Sequence, residues 1–130
     1  MMRPETLART LLAILVVGLV GLGLLATGGP GKGRMEKRDV TRLTDLQALA
    51  DLAYCLAGTG DLPAALVPGD ACPREIRLAD PFTGTPYRYE RLAGGAFRLC
   101  AGFEDAEWLR GTRRGDLDPA TGCVVFPHRP

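Results

Sequence analysis

The stretch Asp80-Pro-Phe-Thr-Gly-Thr-Pro-Tyr-Arg-Tyr-Glu-Arg-Leu-Ala-Gly-Gly-Ala-Phe-Arg-Leu-Cys100 decides how the chain is read. Turn residues come first: Asp80 and Thr83 can hydrogen-bond their own backbone, and Gly84 and Pro86 set an entry turn. Tyr87 and Tyr89 then share one face of a strand by period two, with Arg88 and Glu90 on the other. After the Ala93-Gly94-Gly95 loop, Phe97, Leu99, Ala101 and Phe103 share a face of a returning strand. Two alternating runs around a short glycine loop predict a β-hairpin. A lone hairpin is not stable in water, so its aromatic face requires a partner layer.

That partner lies upstream. In the segment from Met35 to Ala57, Val40, Leu43, Leu46, Leu49, Ala50, Ala53, Leu56 and Ala57 recur at three- and four-residue steps. The pattern predicts one apolar helix face, with Arg38, Arg42, Asp45 and Asp51 mostly on the opposite side and Gly58 and Gly60 as the stop. Downstream, residues 104–122 read as polar loop pinned by Trp108, and Cys123-Val-Val-Phe126 as a third strand ended by Pro127. Between helix and hairpin, Pro63, Pro68, Pro73 and Pro81 mark a loop-rich connection.

The first quarter of the chain is of a different kind. Thr10 to Gly31 is a run of 22 residues without a charge, and about 20 apolar residues suffice for a helix to cross a bilayer. A retained transmembrane anchor is the preferred reading. A cleaved signal peptide is the alternative, with Arg3 and Arg9 as its charged region, but no small-x-small cleavage site follows the apolar run. Thr27 to Gly33, with its glycines and Pro30, reads as a flexible linker that ends the membrane helix. The expected organisation is therefore a tail and anchor over residues 1–27, a linker over 28–34, and a domain over 35–130. The fold class is α+β: an N-terminal transmembrane helix, then an amphipathic helix on a three- to four-stranded antiparallel sheet.

Composition narrows the function. The net charge is +1, and aromatic residues make up 6% of the chain, which disfavours nucleic acid as a partner. There is no serine, and the only histidine, His128, sits near the C-terminus where chains tend to fray, so no nucleophile–base pair is apparent. Asp116 and Asp118 near Glu104 and Asp105 read as a solvated turn instead of a cation site. Arg110, Arg113 and Arg114 read as a solvated basic loop, and the glycine run before Lys32 lacks phosphate-loop spacing. No catalytic residue, cofactor, metal or small-molecule substrate is expected. The partners are the lipid bilayer, through residues 10–31, and another protein.

Cys55, Cys72, Cys100 and Cys123 contain no CxxC pair and form an even set, as expected for two disulfides in an oxidising compartment. Four reduced, buried thiols are the alternative. Of three connectivities, Cys100–Cys123 joining two strands and Cys55–Cys72 tying the helix end to the next loop is preferred. The basic residues after the span, Lys32, Arg34, Lys37, Arg38 and Arg42, argue by contrast for a cytoplasmic domain.

Four segments in order resemble the globular domain of type II secretion pseudopilins and type IV pilin-like proteins. They are Asp39, Arg42, Asp45 and Leu46 with Tyr54; Gly60 to Leu66; Asp80 to Tyr89; and Phe97 to Phe103. The resemblance covers about 70 residues and implies a helix packed on a small antiparallel sheet. Asp80, Pro81, Gly84, Pro86, Tyr87 and Tyr89 would open the first hairpin. It also implies a bacterial inner-membrane protein whose domain is exported, acting by protein–protein interaction. The chain departs from the family before the span, where the leader glycine-phenylalanine and the following glutamate are missing, and in the loop after the second strand, where the family's calcium site is not reproduced. A small secreted disulfide-stabilised binding module, released after signal cleavage, is the alternative.

Overall fold

The computed structural model describes residues 1, 3–112 and 116–129. The chain divides into two compact units, Met1–Met35 and Glu36–Pro130.

In the first unit, α1 spans Pro4–Ala26. Pro4 opens it at the first helical position, where a missing N–H costs nothing, and the Arg3 carbonyl accepts from the Thr6 and Leu7 amides. Its 23 residues rise about 35 Å at 1.5 Å each, enough to cross a hydrocarbon core of about 30 Å. None of its residues is buried, and Leu11, Ile14, Val17, Leu22 and Leu25 all face outward. An apolar helix covered by nothing in its own chain is long and apolar enough to span a membrane.

The expected linker is corrected. The helical path is broken only at Thr27 and Gly28, and α2 begins at Gly29 and runs to Ala57. Gly28 takes φ +82°, which makes the break. Pro30 falls at the second position of α2, where its ring does not oppose a preceding turn. The glycines and proline that read as a flexible linker are instead a two-residue stop followed by a helix start. Residues 27–31, included in the expected 10–31 span, accordingly lie beyond α1.

The second unit is a helix on a four-stranded antiparallel sheet. Strands β1 (Arg88–Arg91), β2 (Phe97–Cys100), β3 (Leu117–Asp118) and β4 (Cys123–Phe126) assemble in the order β1-β2-β4-β3. The hairpin register pairs Tyr89 with Leu99 and Arg91 with Phe97, and β4 continues the rows by pairing Phe126 with Phe97 and Val124 with Leu99. Phe97, Leu99, Val124 and Phe126 form the inner face, buried with Leu46, Leu49, Ala50, Leu52 and Ala53 of α2. Phe97 is the centre: Phe126 stacks on it at 5.2 Å, and Tyr54 of α2 meets it edge-on at 5.3 Å. The outer face carries Arg88, Glu90, Arg98 and Val125.

Two elements read as loop are ordered. A short helix, α3 (Ala106–Gly111), is capped by Asp105, whose carboxylate accepts from the Trp108 amide at 3.0 Å. It turns Leu109 into the core and packs Trp108 against it. The two-residue β3 pairs with β4 and buries Leu117. The C-terminal segment is also held: the Tyr54 hydroxyl donates to the Pro127 carbonyl at 2.7 Å, and the Arg129 guanidinium lies 4.4 Å from the Tyr54 ring centre. His128 is therefore not at a frayed end.

Candidate functional site

Arg42 was expected on the solvent side of its helix and is the largest fully buried side chain among the described residues, 1% exposed. Asp39 and Asp45 are buried with it, while Val40, expected on the apolar face, is exposed. The helical stripe explains the correction. Asp39, Arg42, Leu46, Leu49 and Ala53 follow three- and four-residue steps, so the inward face of α2 begins with charges and continues with hydrocarbon.

Three carboxylates meet the Arg42 guanidinium. Its Nε donates to Asp80 Oδ2 at 2.6 Å, and its Nη1 donates to Asp39 Oδ1 at 2.8 Å and to Glu104 Oε2 at 2.7 Å. The Phe82 ring centre lies 5.4 Å from its Cζ. Asp39 also accepts the backbone amides of Glu104 and Asp105, at 3.0 and 2.8 Å. Arg38 grips Glu104 with two bonds, Nε at 2.6 Å and Nη2 at 3.0 Å. One helical turn of α2 thereby fixes two loops at once, the one opening at Asp80 and the one following β2.

The residues expected to open the hairpin lie beside this hub. Asp80 Oδ1 accepts the Phe82 amide at 2.8 Å, and its carbonyl accepts the Gly84 amide at 2.8 Å. This Asx-turn uses Pro81 for a preset φ and Gly84 for φ +74°. Pro86 bridges Ala79, and the Tyr87 amide donates to the Leu78 carbonyl, leading into β1. The Tyr87 hydroxyl donates to Asp45 Oδ2 at 2.7 Å, and the Tyr89 hydroxyl to the Pro63 carbonyl at 2.9 Å. Asp45 is also held by Arg77, through Nε and, at 2.7 Å, Nη2. The tyrosines thus anchor the hairpin to α2 and to the preceding loop.

The electrostatics follow the contacts. Burial works against the charge on Arg42, but the bonds from Asp80, Glu104 and Asp39 outweigh it and raise its pKa above the ordinary arginine value. Hydrogen bonds from Arg38 and then Arg42 hold the Glu104 carboxyl down at about 2. Burial would raise Asp80, yet Arg42 and the Phe82 amide leave it below the usual carboxylate range. Burial, then Asp45, pushes the Tyr87 phenol up. Each shift favours the state that the contacts use: Arg42, Glu104 and Asp80 charged, and the Tyr87 phenol neutral. One buried acceptor, Asp105 Oδ2, has no partner among the described residues.

Two disulfides form, Cys55–Cys72 and Cys100–Cys123, the preferred connectivity. The first ties the last turn of α2 to the loop after it. The second joins directly opposed residues of β2 and β4. Glu104, considered for a cation site, is taken up by the arginines, and Asp118 caps its own turn through the Ala120 amide and the Thr121 hydroxyl. Among the described residues no three or more His, Cys, Asp and Glu side chains converge as metal ligands would. Arg110 lies in the last turn of α3, and Arg113 and Arg114 lie outside the described residues.

Sequence reasoning missed the Arg42 hub, although a signal was present: Asp39 and Arg42 stand three residues apart on the stripe that continues through Leu46. The long apolar N-terminal helix, the second helix and the small antiparallel sheet are compatible with a pilin-like fold. No family model, no curated protein and no solved structure matches this chain.

Proposed function

We propose that this is a membrane-anchored, non-enzymatic interaction protein of the pilin-like type, associated with a type II secretion or type IV pilus assembly. The carrying observation is the pairing of a wholly uncovered apolar helix with a domain whose motif residues are spent on positioning loops. Two disulfides support an exported domain, because such bonds persist in oxidising compartments. The span tethers the domain to a bacterial inner membrane, and the outer face of the sheet around Val125, which is 42% exposed, is open to a partner.

The test is photo-cross-linking in intact cells from a reactive residue placed at Val125, combined with labelling by a membrane-impermeant reagent of Cys72→Ala, which frees the thiol of the exposed Cys55. Adducts to a component of the secretion or pilus machinery, on a chain that still carries α1, are expected. A mature N-terminus near Gly28 would replace this reading with a released binding module. A domain reached by reagents only after permeabilisation would remove the exported orientation.

A further inference from the structure

The Glu36–Pro130 unit carries a cleft of about 500 Å³ between the end of α2, the turn after it, the β1–β2 connection and the C-terminal segment. Its size is within the range of ligand sites, about 300–1,000 Å³. Tyr54, Leu62 and Leu92 give it apolar walls, and Arg91 and Arg129 reach it from opposite elements.

Those two arginines differ from most others in the unit. Arg38, Arg42, Arg74, Arg77 and Arg98 each face a carboxylate. Arg91 donates only to the Leu62 carbonyl at 3.4 Å, and Arg129 rests on the Tyr54 ring. Among the described residues neither has an acidic partner, and Asp61 is the single acidic side chain lining the cleft. His128 adds a third basic group, its imidazole lying where a Cβ on Gly95 would collide with it. The cleft thus presents unneutralised guanidinium groups beside hydrocarbon.

The backbone adds a second feature. β1 is a terminal strand of the sheet. Glu90 pairs with Arg98, and the Leu92 amide donates to the Ala96 carbonyl. The antiparallel alternation then turns the Arg91 N–H and C=O away from β2, toward the open edge. An extended chain at that edge gains main-chain bonds, and side-chain pockets give it specificity.

We propose that this cleft binds a short extended peptide segment bearing a carboxylate, received by Arg91 and Arg129, with a neighbouring apolar side chain against Tyr54 and Leu62. The proposal rests on the interaction-protein reading only in taking the ligand to be a segment of a protein. Planar guanidinium forks suit carboxylates, and Arg129 is pre-ordered by its ring contact.

The full chain, in nanodiscs of zwitterionic lipid, is titrated into a fluorescein-labelled hexapeptide of alternating glutamate and leucine and followed by anisotropy. Saturable binding is expected, at least tenfold weaker for the glutamine-for-glutamate peptide and for the Arg91→Gln/Arg129→Gln protein. Arg110→Gln, on the exposed side of α3, leaves it unchanged, and far-ultraviolet circular dichroism confirms that each variant is folded. Equal binding of both peptides, indifference to the double substitution, or binding of glutarate without binding of the peptide overturns the proposal. Cross-links from Val125 report separately. Their persistence alongside failed peptide binding refutes the cleft alone, and their absence alongside intact binding refutes only the assembly reading.

Discussion

The two halves of α2 within the domain bury comparable side chains by opposite means. From Asp39 to Asp45 the helix buries charge, and from Leu46 to Cys55 it contributes hydrocarbon, an aromatic edge and a disulfide. The hydrocarbon half supplies driving force without direction, since apolar burial is proportional to area and indifferent to angle. The charged half is expensive to desolvate and contributes little net stability when complete. Its contacts, however, are satisfied in one geometry only. Arg42 donates to Asp80 and Glu104 together only if both loops sit where they do. One half of the helix holds the domain together, and the other determines how its loops are arranged.

The largest expected effects set these halves side by side. Arg42→Met leaves Asp39 and Asp80 buried without their cation and Glu104 to Arg38 alone, and should cost about 3–5 kcal/mol in urea unfolding. Phe97→Ala empties the centre of the aromatic cluster and should cost a similar amount, about 3–5 kcal/mol. Acid separates them. A carboxyl whose folded pKa is depressed contributes stability above its unfolded value that is lost as pH falls toward the folded one. For Glu104 that window runs from 4.5 down to about 2, and Asp80 shifts in the same direction. Titrating through it should destabilise the unaltered protein and shrink the Arg42→Met penalty, because the stranded carboxylates become neutral. The Phe97→Ala penalty should stay constant. If both penalties fall in parallel, the division of labour along α2 is wrong.

Next in size is the disulfide of the hydrocarbon half. Cys55 and Cys72 are 17 residues apart, a loop for which chain entropy gives about 3 kcal/mol. Cys55→Ala/Cys72→Ala should lower the urea midpoint accordingly while leaving the acid transition in place. A shift of the acid transition instead would show that the cross-link supports the charged half as well.

The same division governs what could be read from the sequence. The hairpin was legible because strand alternation in Tyr87-Arg-Tyr89 and Phe97-Arg-Leu99, with glycines between, is a strong local signal. α1, long and apolar enough to span a membrane, was legible from length and apolarity. The cysteine connectivity was a preference among three, and the structure supplies the reason for one pair: Cys100 and Cys123 stand directly opposite in the sheet. The hub was not legible, because a charge on a helix ordinarily marks the solvent face, and only tertiary partners 38 and 62 residues away make Arg42 an inward residue. α3 and β3 are too short to show a period. Asp105 followed by Glu107 does fit a helix start. The linker was misread because glycine and proline stop one helix as readily as they begin the next.

A smaller effect is expected where the hairpin meets the charged half. Tyr87→Phe removes one bond to a buried carboxylate that Arg77 still holds, so about 1.5 kcal/mol is expected. Removing Arg77 at the same time should cost more than the two single changes added, because Asp45 would then be buried without any side-chain partner. Additivity would mean that Asp45 is better hydrated than its 6% exposure implies.

The smallest effect lies on the outer face, between the directly opposed residues Glu90 and Arg98. Arg98 grips the Glu90 carboxylate with Nε at 2.8 Å and Nη2 at 2.6 Å, the same range as the three bonds of Arg42, 2.6 to 2.8 Å. Both side chains are well exposed, 41% and 55%, and exposed pairs are worth about 0–1 kcal/mol. A double-mutant cycle with Glu90→Ala and Arg98→Ala should therefore give a coupling under about 1 kcal/mol, and less still in 1 M salt, where screening acts within about 3 Å. The corresponding cycle between Asp80 and Arg42 should give a larger coupling that persists in salt. Equal couplings would mean that bond length, and not burial, sets the strength of ion pairs in this domain.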